Sequence, residues 1–346
     1  MPIETLFREF IKRKSWKRTL LRNVGACYGW IIQLRHWLYD SGWIGQNRVA
    51  VPVISIGNIV VGGTGKTPLV LFLAQELSQF AKLAILSRGY RSKKEHMPGS
   101  TYVAIDSSPE ECGDEPCLLA AKLPQVLVFV GKNRSVSAQD AVAHGAQLIL
   151  LDDGMQHRRL SRDIEMIVID AQDPFGQGFY LPGGLLRDHP KRLKKADMIV
   201  ATNLQGLQQY QEIKMQLAQY TCAPVVGMQL KAEEDADFLR EKKIGLFCAI
   251  GNPSRFQATI EGLGGALVDS LIANDHMFFS IQELESFAMQ CYKKGAELLV
   301  CTEKDWIKLP ANLKSVLPIY SISVQLAVVA GEEDWHHFIE KIKEKL

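Results

Sequence analysis

Residues 60–68 read VVGGTGKTP, and the reading of this stretch decides the fold. The strict phosphate-loop pattern is G-x-x-x-x-G-K-[ST]. Counting back from Gly65-Lys66-Thr67 puts its first glycine at position 60, where this chain has Val60. The surroundings are still those of a nucleotide cradle. An apolar strand, Val51–Ile56, precedes the loop and a helical run, Leu69–Leu77, follows it. Gly62, Gly63 and Gly65 let the backbone turn its N–H groups toward phosphate oxygens without a Cβ in the way. Lys66 supplies a point charge for the β- and γ-phosphates, and Thr67 offers a hydroxyl to Mg²⁺ at a helix N-terminus. Val60, Val61, Gly62, Gly63, Thr64, Gly65, Lys66 and Thr67 together read as the nucleotide-binding segment.

Outward from the loop, short β-branched runs alternate with helical stretches. Strands are expected at 51–57, 82–87, 101–105, 125–131, 147–153, 165–171 and 197–202, with helices at 67–80, 115–122 and 133–144. Near-continuous apolar strands with intervening helices imply a parallel sheet covered on both faces. A second series follows at 223–230, 243–251, 297–302 and 318–324. The polar stretch LKAEEDADFLREKK (230–243) marks the boundary between them. The expected division is residues 1–45 as an N-terminal helical segment, 46–229 as the phosphate-loop domain and 230–346 as a C-terminal α/β domain.

The first fifty residues differ in character. They hold nine basic side chains against three acidic ones, while the whole chain carries only +2. Four of the six tryptophans also lie there: Trp16, Trp30, Trp37 and Trp43. Basic charge mixed with Trp and Tyr fits a membrane–water boundary and argues against a nucleic-acid partner. Leu20, Leu21, Val24, Tyr28, Ile31, Leu34 and Leu38 recur at helical spacing. A helix packed on the domain and a helix lying on an anionic bilayer both produce that periodicity. No uncharged apolar run is long enough to span a bilayer, and no secretory signal is visible. The seven cysteines show no metal spacing and read as reduced and cytosolic.

Three further stretches carry chemistry. LILLDDG (148–154) is how a buried strand delivers a carboxylate to the C-terminal edge of a sheet, where Mg²⁺ would sit. Asp152 is the candidate metal-side carboxylate; Asp153 is either catalytic or a solvent-facing turn residue. GDEP (113–116) pairs Asp114 and Glu115 at a helix start. That is either a helix cap or a pair in which one carboxylate holds Mg²⁺ and its neighbour accepts a hydroxyl proton. NDH (274–276) puts His276 in a loop, as structure or as general-base chemistry near neutral pH.

Taken in order, GNIVVGGTGKTP (57–68), SRGYR (87–91), GDEP (113–116), DDGMQHRRLSRD (152–163), FGQGFYLPGGLLRD (175–188), AIGNPSRF (249–256), DH (275–276) and TEKDWIKL (302–309) resemble the tetraacyldisaccharide 4′-kinases, the lipid A 4′-kinases of Gram-negative bacteria. That family's loop also lacks glycine at the position of Val60. Met155 stands where an aromatic is common, Leu185 where Pro is expected and Asp188 where Glu is expected.

The resemblance implies a P-loop NTPase-like α/β/α sandwich with a second, smaller α/β/α domain and an N-terminal amphipathic helix on the membrane surface. The implied reaction moves the γ-phosphate of ATP to the 4′-hydroxyl of an acylated glucosamine disaccharide 1-phosphate, with Mg²⁺, at the cytoplasmic face of the inner membrane. Asp114 would be the general base and His276 its partner; Thr67, Glu115 and Asp152 would serve Mg²⁺. Lys66, Asp153 and Arg187 would complete the catalytic set, Arg187 as a cationic contact to substrate or transferring phosphate. A monomer is expected. The rivals are a nucleotide-driven switch, a soluble-sugar kinase and a membrane scaffold; substrate-dependent ADP release separates them.

Overall fold

The computed structural model describes residues 16–232, 234–310 and 312–346. The basic residues Lys12, Arg13 and Lys14 therefore lie outside the described part. The chain opens on α1 (Trp16–Asp40), then alternates β1 (Val53–Gly57), α2 (Lys66–Leu77), β2 (Leu83–Ser87) and β3 (Thr101–Tyr102). It continues through α3 (Pro109–Cys112), α4 (Asp114–Lys122), β4 (Leu127–Val130), α5 (Arg134–Ala143), β5 (Leu148–Asp152), β6 (Ile164–Asp170), β7 (Met198–Thr202), α6 (Leu207–Leu217) and β8 (Val225–Ala232). A second series follows: β9 (Lys243–Cys248), α7 (Pro253–Gly262), β10 (Ala266–Ile272), α8 (Ile281–Lys293), β11 (Leu298–Thr302), α9 (Glu303–Trp306) and β12 (Ile319–Ile322). The chain ends with β13 (Val324–Ala330) and α10 (Glu332–Lys343).

The larger unit is built on a nine-stranded sheet in the order β13-β8-β7-β6-β1-β5-β2-β4-β3. β1 lies between β5 and β6 and is parallel to both. Every residue of β1, β2, β5 and β7 is buried, which is why these strands read as unbroken apolar runs rather than alternating ones. One face is packed by Ala138 and Ala141 of α5 against Ile149 and Leu151. Elsewhere Tyr210, Ile213 and Leu217 of α6 pack on Ile167 and Ile199. The pairing registers bring Gly57, Ser87, Asp152, Asp170 and Thr202 to the C-terminal ends of their strands. Strand order reverses at β1, and ligands of open α/β sheets bind at such a reversal.

The smaller unit has a four-stranded parallel sheet, β10-β9-β11-β12. Phe256 and Ile260 of α7 pack on Ile244, Leu246 and Val300. Leu284, Phe287 and Cys291 of α8 pack on Phe247, Leu299 and Cys301. This alternate use of strand residues is what two covered faces require.

One expectation needs correction. The reading of 230–346 as one domain fails at its far end, because residues 326–346 belong to the larger unit and, among the described residues, 231–325 to the smaller. β13 extends the large sheet beside β8. The Trp335 ring lies 5.5 Å from Phe72 of α2, and its Nε1 donates to Glu76 at 3.2 Å. The seven-residue apolar pattern in α1 is not one packed face. Gly25, Gly29, His36 and Tyr39 are the buried positions, whereas Leu20, Val24, Ile31 (57%) and Leu34 are exposed, flanked by Trp30 (67%) and Trp37. A Cβ on Gly29 would collide with the Tyr180 ring, so close approach, not hydrophobicity, sets the inward seam.

Candidate active site

The loop after β1 is strapped down before it reaches α2. Val60 is buried and forms an isolated bridge with Leu186, while the Val61 amide donates to the Leu185 carbonyl at 2.8 Å. Position 60 therefore belongs to the core of the larger unit, packed with Ile59, Met155 and Leu186. Glycine there would forfeit that contact, which is the physical reason the loop departs from the strict pattern. Further along, Asn58 Nδ2 donates to Thr64 Oγ1 at 2.8 Å, and Thr202 Oγ1 donates to the Thr64 carbonyl at 2.8 Å. Gly65 turns the chain with φ +86° into the first residue of α2, Lys66. The αL conformation there is the one glycine adopts without penalty. Thr67 follows, buried in the first turn.

Charge gathers at this edge. Lys66 Nζ lies 3.5 Å from Asp153 Oδ1. Arg187 donates through Nη1 to Asp153 Oδ2 at 3.0 Å and through Nη2 to Asp153 Oδ1 and Asn58 Oδ1. Asp153 itself sits at φ +50°, a left-handed conformation that a non-glycine residue holds only where its surroundings enforce it. Burial works to raise the Asp153 carboxyl, but the Lys66 and Arg187 charges outweigh it and hold the group well below the usual carboxylate range. Its neighbour behaves oppositely. Asp152 is buried at the end of β5, with Ser87 Oγ donating to Oδ2 at 3.2 Å. Burial, then the Glu115 and Asp153 carboxylates, push it up to about 7 against the pull of Lys66 and Arg134. The structure thus brings together Lys66, Asp152, Asp153, Glu115 and Arg187.

Asp114 is the first residue of α4, buried, and its Oδ1 accepts the Glu115 amide at 2.9 Å. That bond is the cap-like interaction the sequence leaves open beside the chemical one. Gly113 precedes it at φ +99° and packs on Gly89 of the SRGYR stretch. His276 belongs to the smaller unit, in a left-handed turn at φ +64°, with its Nε2 3.7 Å from Asp275 Oδ2.

Sequence reasoning assigned no role to three residues here. Asn58 bridges Arg187 and Thr64 and is fully buried; its only signal is its place two residues before the loop. Arg134 is buried at the start of α5, its Nε without a partner, and burial lowers it to about 10 although Asp152 and Asp153 oppose the shift. An arginine at a helix start is otherwise unremarked. Asp188, fully buried, accepts His36 Nε2 from α1 at 2.9 and 3.0 Å. Beside it, Tyr28 donates to the Arg187 carbonyl at 3.4 Å and Arg35 to the Gln156 carbonyl at 2.8 Å. The inward face of α1 therefore contacts the segments that carry the site.

Residues 17–344 match the family model described as tetraacyldisaccharide-1-P 4′-kinase. The chain belongs to that family. It is an ATP-dependent kinase of lipid A biosynthesis. Among curated relatives, the tetraacyldisaccharide 4′-kinase of Syntrophus aciditrophicus is 33% identical, covering 96% of this chain and 95% of the relative. The Chlamydia pneumoniae kinase is 38% identical over 83% of this chain and 80% of its own. A crystal structure of the Aquifex aeolicus enzyme in complex with ATP is 30% identical and superimposes with a TM-score of 0.75, covering 94% of this chain and 99% of that one. The relatives span nearly the whole length, so the family's kinase fold extends over both units.

Proposed function

We propose that this chain transfers the γ-phosphate of ATP to the 4′-hydroxyl of an acylated glucosamine disaccharide 1-phosphate, giving the 1,4′-bisphosphate, with the roles assigned as follows. The observation that carries the site assignment is the pair of adjacent carboxylates at the end of β5. One is neutralised by Lys66 and Arg187, and the other is raised to about 7. Lys66 lies at the nucleotide loop, where its charge serves the β- and γ-phosphates, and Arg187 supplies a second cation for the transferring group. Asp153 holds both cations in place. Phosphoryl transfer needs positioning and charge neutralisation more than covalent chemistry, and this arrangement provides both.

The donors also fit Mg²⁺. Glu115 places a second negative charge beside the buried Asp152, and the Thr67 hydroxyl lies in the first turn of the adjoining helix. Among the described residues no set of three His, Cys, Asp or Glu groups has metal-holding geometry. Mg²⁺ keeps waters and uses one or two carboxylates plus substrate phosphates. Thr67, Asp152 and Glu115 would hold it, and when bound it would neutralise charge on the phosphates. Asp114 takes the proton of the 4′-hydroxyl, with His276 as its partner.

The exposed stripe Leu20, Val24, Ile31 and Leu34 with Trp30 and Trp37 supports peripheral binding to an anionic membrane surface at its cytoplasmic face, where ATP is available. No described helix is long and apolar enough to cross a membrane. An acylated acceptor stays in the bilayer at about 0.8 kcal/mol per CH₂ otherwise exposed, so the enzyme must work at that surface. A monomer is the proposed unit.

The test is transfer from labelled ATP to the lipid disaccharide 1-phosphate in mixed micelles. Asp114→Asn should lower kcat by about 10²–10⁴, the usual range for a general base. His276→Ala should lower it by a comparable or smaller factor. The double variant should lose far less than the product, because residues of one catalytic unit are non-additive. An Asp114→Asn enzyme with ordinary kcat would return GDEP to a helix cap.

A further inference from the structure

The TEKDWIKL stretch (302–309) takes no part in phosphate transfer as assigned above, yet it encloses an ion pair. Asp305, in the short helix α9, is fully buried. Lys308 Nζ lies 2.8 Å from Asp305 Oδ1, and the lysine side chain is 3% exposed. The same carboxylate accepts Thr302 Oγ1 at 2.6 Å and the Ala249 amide at 3.2 Å from either oxygen. Ala249 is the residue after β9, and its carbonyl accepts the His276 amide at 3.3 Å. Lys308 Nζ in turn donates to the Met277 carbonyl at 3.1 Å. The backbone on both sides of the His276 Cα is thus tied to one ion pair, through Ala249 on the N–H side and through Met277 on the other.

That tether acts on a conformation that needs holding. His276 has φ +64°, where a side chain with a Cβ sits only if the surroundings over-determine it. The turn is otherwise closed by the Met277 amide on the Asn274 carbonyl at 3.1 Å. A buried, hydrogen-bonded charge pair is exacting in direction where an apolar contact is not. We propose that Asp305 and Lys308 are positioning residues that fix the left-handed turn at His276 and thereby set where its imidazole points. The inference rests on the reading of His276 as the partner of Asp114.

Lys308→Met, and Asp305→Asn with Lys308→Met so that no buried charge is left unpaired, are compared in the parent and in His276→Ala. Their kcat in micelles, their KM for ATP and the His276 ring resonances in histidine-labelled protein are measured. In the parent, kcat should fall by about 10- to 100-fold, the cost of misplacing a reacting group by about an ångström. KM for ATP should stay within about twofold, and the ring signal lost in His276→Ala should move. In the His276→Ala background the further loss should be below about twofold, since both changes then act on one missing group. A merely structural role would instead give multiplicative losses, or an unmoved His276 signal in a folded variant, and either overturns the proposal. If His276→Ala alone keeps full kcat, the base-partner reading fails, and the ring signal still decides whether the pair positions the turn. Should the charge variants not fold, Thr302→Val removes one bond to Asp305 and is judged on the same two readings.

Discussion

Both sheets bring charged groups to the C-terminal ends of their strands, and they treat the charge in opposite ways. At the small sheet Asp305 and Lys308 are enclosed and satisfy one another, with the remaining bonds going to backbone and Thr302. At the large sheet two adjacent carboxyls are pulled in opposite directions. Asp153 is gripped by two cations, Asp152 is left beside Glu115 with its carboxyl raised to about 7, and Arg134 is buried with an unpartnered Nε. A neutralised buried pair holds backbone in place, whereas an incompletely neutralised cluster is completed by a ligand. The first arrangement suits structure and the second suits chemistry.

A large loss of catalysis should come from the large sheet. Lys66→Ala and Arg187→Ala are each expected to lower kcat by about 10²–10³, the magnitude for one lost stabiliser of transition-state charge, with little change in Tm. Near-normal transfer at saturating ATP and Mg²⁺ would break the comparison. The mirror experiment is Asp305→Leu, which strands Lys308 without its counter-charge and should cost about 3–5 kcal/mol in denaturant unfolding of the ligand-free protein. An unchanged unfolding midpoint would show that the pair is not enclosed.

Asp152→Asn sharpens the contrast through pH. Because the folded state raises this carboxyl above its unfolded value near 3.8, the fold favours the protonated form. Its favourable contribution is present at low pH and is lost as pH rises through about 7. Asparagine cannot ionise, so the ligand-free variant should be more stable than the parent at pH 8, on the order of 2 kcal/mol, with the gap closing toward pH 4. Activity should fall at the same time. A variant less stable at pH 8 would mean that the carboxylate is already neutralised by the protein. The remaining test concerns the surface. Trp30→Ser with Ile31→Ser should weaken sedimentation with anionic vesicles by about 2–3 kcal/mol in all, leaving transfer to a soluble acceptor analogue unchanged. Equal vesicle binding would assign the stripe another role.

Much of this architecture is legible in the amino-acid sequence because central parallel strands must be apolar throughout: β1, β5, β6 and β7 announce themselves. The edges do not. β10 carries Asp269 and Ser270 and is half exposed, so its pattern is broken. β13 pairs next to β8, nearly a hundred residues earlier in the chain, and no local signal records a partner that distant. In α1 hydrophobic spacing groups Tyr28 with Ile31, whereas Tyr28 reaches Arg187 and Ile31 faces outward. The inward seam is made of Gly25 and Gly29, to which a hydrophobic pattern is blind. Site residues inside recognisable loops, such as Lys66 and Asp152, could be read directly. Asn58, Arg134 and Asp188 could not, because their roles exist only through partners that folding brings near.

The return of the last twenty-one residues to the larger unit has a consequence for synthesis on the ribosome. The smaller unit, whose described residues run from 231 to 325 with all its strands among them, can close early. The larger one, begun first, stays open along the edge of β8 until β13 and Trp335 leave the exit tunnel. An unpaired strand edge is the place where nascent chains associate. The first-made sheet is therefore the last to be finished, and a truncation that removes β13 and α10 would injure the oldest part of the molecule.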